Sequence, residues 1–182
     1  LGKEMLKDVK FNNIIDHTRV YFGGNLGNYY LVLFFPGVWN YELFEMGVPF
    51  RENPWSKSGK YYATDSETFD SRKKYVLETA GGYYACRIGI IEKLKELKLQ
   101  GSVLVLRFIT AEDRYPLGVW VCREATRTSV NGGFIEFEDK KLAINYLESF
   151  VKKKFGQDIS EILQVSKVLN EINTQKRISE FF

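Results

Sequence analysis

Apolar residues run almost unbroken through Tyr29-Tyr30-Leu31-Val32-Leu33-Phe34-Phe35 and stop at Pro36-Gly37. A run of that length closed by turn residues reads as a buried strand. Strand-like material reaches back to Arg19, with Gly23-Gly24 and Gly27 as turn or bulge points. Residues 102–109, Ser-Val-Leu-Val-Leu-Arg-Phe-Ile, form a second near-continuous aliphatic run, expected for a central strand. Gly118-Val-Trp-Val-Cys-Arg123 reads as another strand of the same character, and Phe134-Ile-Glu-Phe-Glu138 alternates as a half-exposed strand does. A different period governs residues 80–99, where Tyr84, Ile88, Ile91 and Leu94 recur at helical spacing and Ile90 and Leu97 broaden the stripe. Thr79 is placed to cap that helix and Gly101 to follow its end. Lys140 to Phe155 is a second amphipathic helix, carrying Leu142, Tyr146, Leu147, Phe150 and Val151 and closed by Gly156. Asp158 opens a last helix with Glu161 as its capping-box partner, and its apolar face includes Ile162, Leu169 and Ile172. Residues 47–62 read as a loop, and Asp65 to Arg72 as the start of a short helix. Together these elements predict an α+β domain over residues 1–173, with a mixed sheet, packed helices and a helical C-terminal end. A short flexible tail, 174–182, follows.

With 182 residues, 45% of them hydrophobic, the chain is long enough for one substantial core. The longest apolar run is far too short to cross a membrane. The N-terminus lacks the basic-then-apolar order of a secretion signal. Cys86 and Cys122 are the two cysteines, which suits a reducing interior better than a disulfide scaffold. With His17 as the one histidine, they cannot close a zinc site, and no cofactor or metal is expected. Charge is unevenly spread: residues 72–127 carry eleven basic and six acidic groups, and residues 128–139 carry three acidic groups and no basic one. The middle segment is the candidate for meeting phosphate, although a basic run is ordinarily a solvated helix face.

Within that segment, Gly81-Gly82 near a helix start can leave backbone N–H groups open to an anion, with Arg87 about one turn further on. Arg107 and Arg123 lie in runs that read as buried, where an arginine needs a carboxylate or phosphate partner. Two readings follow. One is an arginine–carboxylate network bracing the sheet, with Glu92 and Glu124 as the obvious partners. The other is a phosphate or DNA-backbone site built from Gly81, Gly82, Arg87, Arg107, Arg123 and Arg127. Tyr83, Tyr84 and Trp120 are able to stack on bases, but aromatics at such spacings are more often core. No catalytic residue emerges. Asp65, Glu67 and Asp70 are close enough in sequence to consider for Mg²⁺, and His17 for a general base, yet both have the bland reading of ordinary polar residues.

The sequence closes with Gln175-Lys-Arg-Ile178-Ser-Glu-Phe181-Phe182. In one turn of 3₁₀ helix Ile178 and Phe181 share a stripe with Phe182 beside them, forming a plug for a hydrophobic pocket, while the Gln175 amide can bond groups at the pocket edge. This pattern is similar to the sliding-clamp (PCNA) interacting peptide, the PIP-box, which makes Gln175, Ile178, Phe181 and Phe182 the expected clamp contacts. The alternative is that the two phenylalanines fold back onto the domain.

Arg72-Lys-Lys-Tyr-Val-Leu-Glu-Thr-Ala-Gly81-Gly-Tyr-Tyr-Ala-Cys-Arg87, with Val103-Leu-Val-Leu-Arg107 and Pro116-Leu-Gly-Val-Trp120-Val-Cys-Arg123-Glu124, resembles the C-terminal part of the archaeal Nre DNA-repair proteins. The match is good over residues 65–130 and looser over 20–45. The resemblance implies a cytoplasmic archaeal protein acting in the DNA damage response, tethered to PCNA by its tail, with DNA as a further partner. Family members also carry a Cys-containing N-terminal motif that this sequence lacks, so no zinc role carries over. An alternative of a different class is a nucleotide- or nucleic-acid-processing enzyme whose phosphate site surrounds Gly81-Gly82 and the arginines.

Overall fold

A computed structural model describes residues 2–51, 53, 59–71, 79–112 and 118–174. The first apolar run forms a hairpin, β2 (Thr18–Asn25) and β3 (Asn28–Phe35), after a helix α1 (Gly2–Lys10) and a two-residue strand β1 (Asn13–Ile14). Asn25 pairs with Asn28, so the turn is Leu26-Gly27, and both residues have positive φ (49° and 75°). That is the primed geometry matching strand twist, and glycine supplies half of it without a steric penalty. Next come β4 (Asn40–Gly47), β5 (Tyr62–Glu67), α2 (Tyr83–Leu97), β6 (Leu99–Gln100) and β7 (Ser102–Ile109). The chain continues with α3 (Val119–Asn131), β8 (Phe134–Phe137), α4 (Lys140–Phe155), α5 (Ser160–Val165) and α6 (Lys167–Thr174).

Six strands form one mixed sheet in the order β5-β4-β7-β3-β2-β8, and β1 pairs with β6 separately. Every pair in the large sheet is antiparallel except β4–β7, so β7 enters between β3 and β4, and the sheet is α+β as expected. Both faces are covered. Alternate strand residues Tyr30, Val32, Phe34, Val103 and Val105 pack with α1, α2 and α3 in one apolar cluster. The intervening Leu31, Leu33, Phe35, Leu104 and Leu106 pack with α4, α5 and α6 in another. A strand buried on both faces has no solvent side to show, which is why 29–35 reads as an unbroken apolar run and 103–109 as one interrupted by Arg107 alone.

Several local expectations are corrected. Residues 118–123 do not form a strand: they open α3, whose buried residues Val121, Cys122, Ala125, Thr126, Ser129 and Val130 recur at helical spacing. Packing of that stripe against α2 and the β2–β3 hairpin overrides the β-propensity of Val-Trp-Val. Residues 62–67 form the edge strand β5 rather than leading into a helix. Gly82, not Thr79, is the N-cap of α2, and Lys98 in the left-handed region (φ 54°) ends it before β6. The last helix is broken in two at Ser166. By contrast α4 spans its expected residues, with Asp139 capping the Lys141 amide at 2.7 Å and Gly156 closing it at φ 67°. Leu142, expected on its apolar face, is exposed.

Candidate functional site

The carboxyl ends of the parallel pair β4–β7 meet the first turn of α2. Along β7 the residues facing that helix are Val103, Val105 and then Arg107; along β4 they are Tyr41, Leu43 and then Glu45. Arg107 and Glu45 are register partners, so the strand period alone drives a guanidinium and a carboxylate into the core side by side. Both side chains are buried and their charges pair directly, Arg107 Nη1 donating to Glu45 Oε1. Arg107 also donates from Nε and Nη2 to Asn28 Oδ1 at 3.0 and 2.5 Å. Burial pulls the Arg107 pKa down, but Tyr30 and Glu45 outweigh it and hold the guanidinium above its ordinary value.

The amide expected to be open to an anion lies at this point. Gly82 N donates to Glu45 Oε1 at 2.9 Å, so the protein's own carboxylate fills the slot at the start of α2. A Cβ on residue 82 would stand 2.5 Å from that oxygen and 2.9 Å from Arg107 Nη1, so only glycine fits. Gly81 adjoins the same carboxylate, with a Cβ there reaching 4.0 Å from Glu45 Oε2.

Arg87 belongs to a second buried cluster. Glu67 accepts from Arg87 Nε (2.8 Å), Trp39 Nε1 (2.9 Å) and Tyr83 Oη (3.2 Å), which commits the one buried member of the acidic trio Asp65, Glu67 and Asp70 to structural donors. Among the described residues, no group of three or more His, Cys, Asp or Glu is placed to hold a metal ion. The cysteines of α2 and α3 are buried, and burial pushes the Cys86 thiol up to about 12 and raises Cys122 as well, so neither is a ready thiolate.

Arg127 and Arg123 sit apart from these clusters, partly exposed on α3. Arg127 forks onto Glu92 (2.8 and 2.7 Å) and reaches Glu124 (2.7 Å), and these contacts hold it charged. Arg123 makes a longer contact with Glu124, 3.5 Å. The carboxylates named from sequence therefore serve Arg127 and, in the case of Glu124, Arg123 as expected, while Glu45 and Glu67, which sequence reasoning missed as partners, serve Arg107 and Arg87. The six candidate phosphate residues resolve into a buried pair of Gly82 and Arg107 with an exposed Gly81 beside it, a buried Arg87, and the partly exposed Arg123 and Arg127. Of the aromatics considered for stacking, Tyr83 is buried and Trp120, one turn before Arg123, is 60% exposed. Gln175, Ile178, Phe181 and Phe182 lie outside the described residues.

Comparison with known proteins extends over nearly the whole chain. The family profile described as "Archaeal Nre, C-terminal" matches residues 67–181, and the profile "Archaeal Nre, N-terminal" matches residues 1–56, so the likeness is not confined to the C-terminal part. DNA repair protein NreA of Haloferax volcanii is 36% identical over 139 residues, covering 76% of this chain and 33% of that protein. DNA repair protein NreB of Archaeoglobus fulgidus is 29% identical over 182 residues, 100% of this chain and 44% of that protein. NreA of the same organism is 31% identical over 142 residues, covering 76% of this chain and 36% of that protein. The chain thus spans less than half the length of these relatives. No solved structure matches it.

Proposed function

The chain belongs to the archaeal Nre family, and from that premise we propose that it acts in DNA repair, recruited to the sliding clamp PCNA by residues 175–182. Its relatives are named DNA repair proteins. The observation that carries the clamp reading is the spacing Gln175, Ile178, Phe181-Phe182, directly after α6 ends at Thr174. An aliphatic and two aromatics at that spacing suit a hydrophobic pocket on a partner. The mechanism is tethering: a domain linked to a ring on DNA is concentrated there without new contacts of its own. What weighs against the enzyme alternative is Glu45, which already occupies the Gly82 amide and the Arg107 guanidinium that a substrate phosphate would need. DNA contact falls instead to exposed groups, of which Trp120 and Arg123 on α3 are the best placed.

The test is calorimetric titration of archaeal PCNA with the chain and with Phe181→Ala/Phe182→Ala. The double substitution is expected to abolish measurable binding and leave the unfolding midpoint unchanged. Equal affinity in the two proteins overturns the assignment.

A further inference from the structure

Helix α3 opens on two large apolar side chains that stay in solvent, Val119 at 67% and Trp120 at 60% exposure. Tryptophan carries more apolar surface than any other residue, so an indole left out on a first turn is a ready contact for a ligand. A Cβ on residue 118 would stand 3.0 Å from Trp120 Cδ1 and 3.2 Å from Nε1, so the five-membered ring lies back over the bare Gly118. That contact seats the indole on its own helix end and leaves ring surface open.

Arg123 follows three positions on and Arg127 four beyond it, so Trp120 and both arginines share one side of α3. Arg127 is already spent, forked onto Glu92 of α2 and reaching Glu124 as well. Arg123 meets Glu124 through Nε alone, at 3.5 Å, and its terminal nitrogens have no partner among the described residues. Two arginines therefore stand against two glutamates, and a ligand gains little here from net charge.

That balance decides the kind of partner. A duplex is held by many phosphate contacts and keeps the faces of its bases stacked out of reach. A single strand offers an aromatic side chain the open face of an unpaired base, with a phosphate for one nearby guanidinium. We infer that Trp120 stacks on an unpaired base while Arg123 takes an adjoining phosphate oxygen, making this side of α3 a single-strand contact. The inference rests on the DNA reading of the same residues and narrows it to unpaired nucleotides. Such a site tolerates any sequence, because every base has a face to stack. The tail and α3 then have separate tasks, one capturing the ring and the other the unpaired stretch beside it.

Fluorescence anisotropy of labelled oligo-dT, alone and annealed to oligo-dA, tests this on the full chain without PCNA. The single strand is expected to bind about tenfold more tightly than the duplex. Trp120→Ala is expected to weaken single-strand binding about tenfold, and Trp120→Phe, which keeps a ring, by about threefold or less. Arg123→Ala is expected to shallow the slope of log affinity against log salt by about 0.7, the share of one phosphate on a single strand. Neither side chain is buried, so the unfolding midpoints are expected to match the wild type. Unchanged single-strand affinity in Trp120→Ala, or no binding of the single strand by the wild type, overturns the inference. Equal affinity for the two forms of DNA overturns the unpaired-base assignment and leaves DNA contact standing. Loss of PCNA binding in Trp120→Ala with DNA affinity intact assigns the indole to a protein partner and also overturns it. Phe181→Ala/Phe182→Ala is expected to keep its single-strand affinity whatever happens at PCNA, which separates the two readings.

Discussion

Arg107 and Glu45 are held in a space where either alone would be an uncompensated buried charge. Glu45→Ala leaves the guanidinium without its counter-ion and the Gly82 amide without its acceptor, so the unfolding free energy is expected to fall by about 3–5 kcal/mol. Urea titration measures this. Replacing both charges with methionine should cost less than the sum of the two single substitutions, because the penalty lies in leaving one charge unpaired. An arginine between Leu106 and Phe108 already announces, in sequence, a buried cation that needs an anion. The identity of the anion was not legible, since Glu45 is 62 positions away on a strand whose local pattern is mixed. Sequence proximity favoured Glu92 and Glu124, and register decided otherwise.

Elements were legible where one period ruled and flanking residues agreed. Strand β7 and helix α4 have their expected bounds because 102–109 is apolar but for Ser102 and Arg107 and 140–155 lies between a capping Asp139 and a left-handed Gly156. Helix α3 escapes a reading of the sequence because its first residues favour strands and its buried stripe includes the polar Thr126 and Ser129 beside Val121, Cys122, Ala125 and Val130. The break between α5 and α6 has a tertiary cause. Glu42 of β4 accepts from Ser166 Oγ at 2.7 Å and from the amides of Lys167 and Val168 at 3.2 and 3.1 Å, capping α6 from the sheet. Burial raises the Glu42 pKa above its ordinary 4.5, and these hydrogen bonds offset part of the rise. A raised folded pKa favours the protonated form, so its stabilising contribution is full below the ordinary value and is lost as pH rises through the folded value. The wild type is therefore expected to gain stability relative to Glu42→Gln as pH falls from neutral towards 4.5. Urea midpoints of both proteins across that range check the sign, and a wild type that loses stability relative to Glu42→Gln on acidification would contradict it.

At the scale of the molecule, helices on both faces close the sheet around two cores, and the two thiols report on one of them. Cys86 and Cys122 lie buried beneath α2 and α3. Iodoacetamide is expected to modify them about a thousandfold more slowly in the native protein than in urea, since access requires the three-layer packing to open. Mass spectrometry of timed samples measures it, and rapid labelling of Cys122 alone would show that α3 separates independently. The mixed α+β class was readable from the alternation of strand and helix patterns. Strand order was not, because nothing in the local sequence says that β7 lies between β3 and β4.

That interposed strand has a consequence for synthesis. A nascent chain that has exposed β2, β3 and β4 holds three of the sheet's strands but not the one that joins β3 to β4. Until residues 102–109 leave the ribosome, β4 lacks the strand on its side away from β5. The interval between making β4 and making β7 is thus the period in which the growing polypeptide is most open to chaperones, to wrong strand partners, and to its neighbours on the same message.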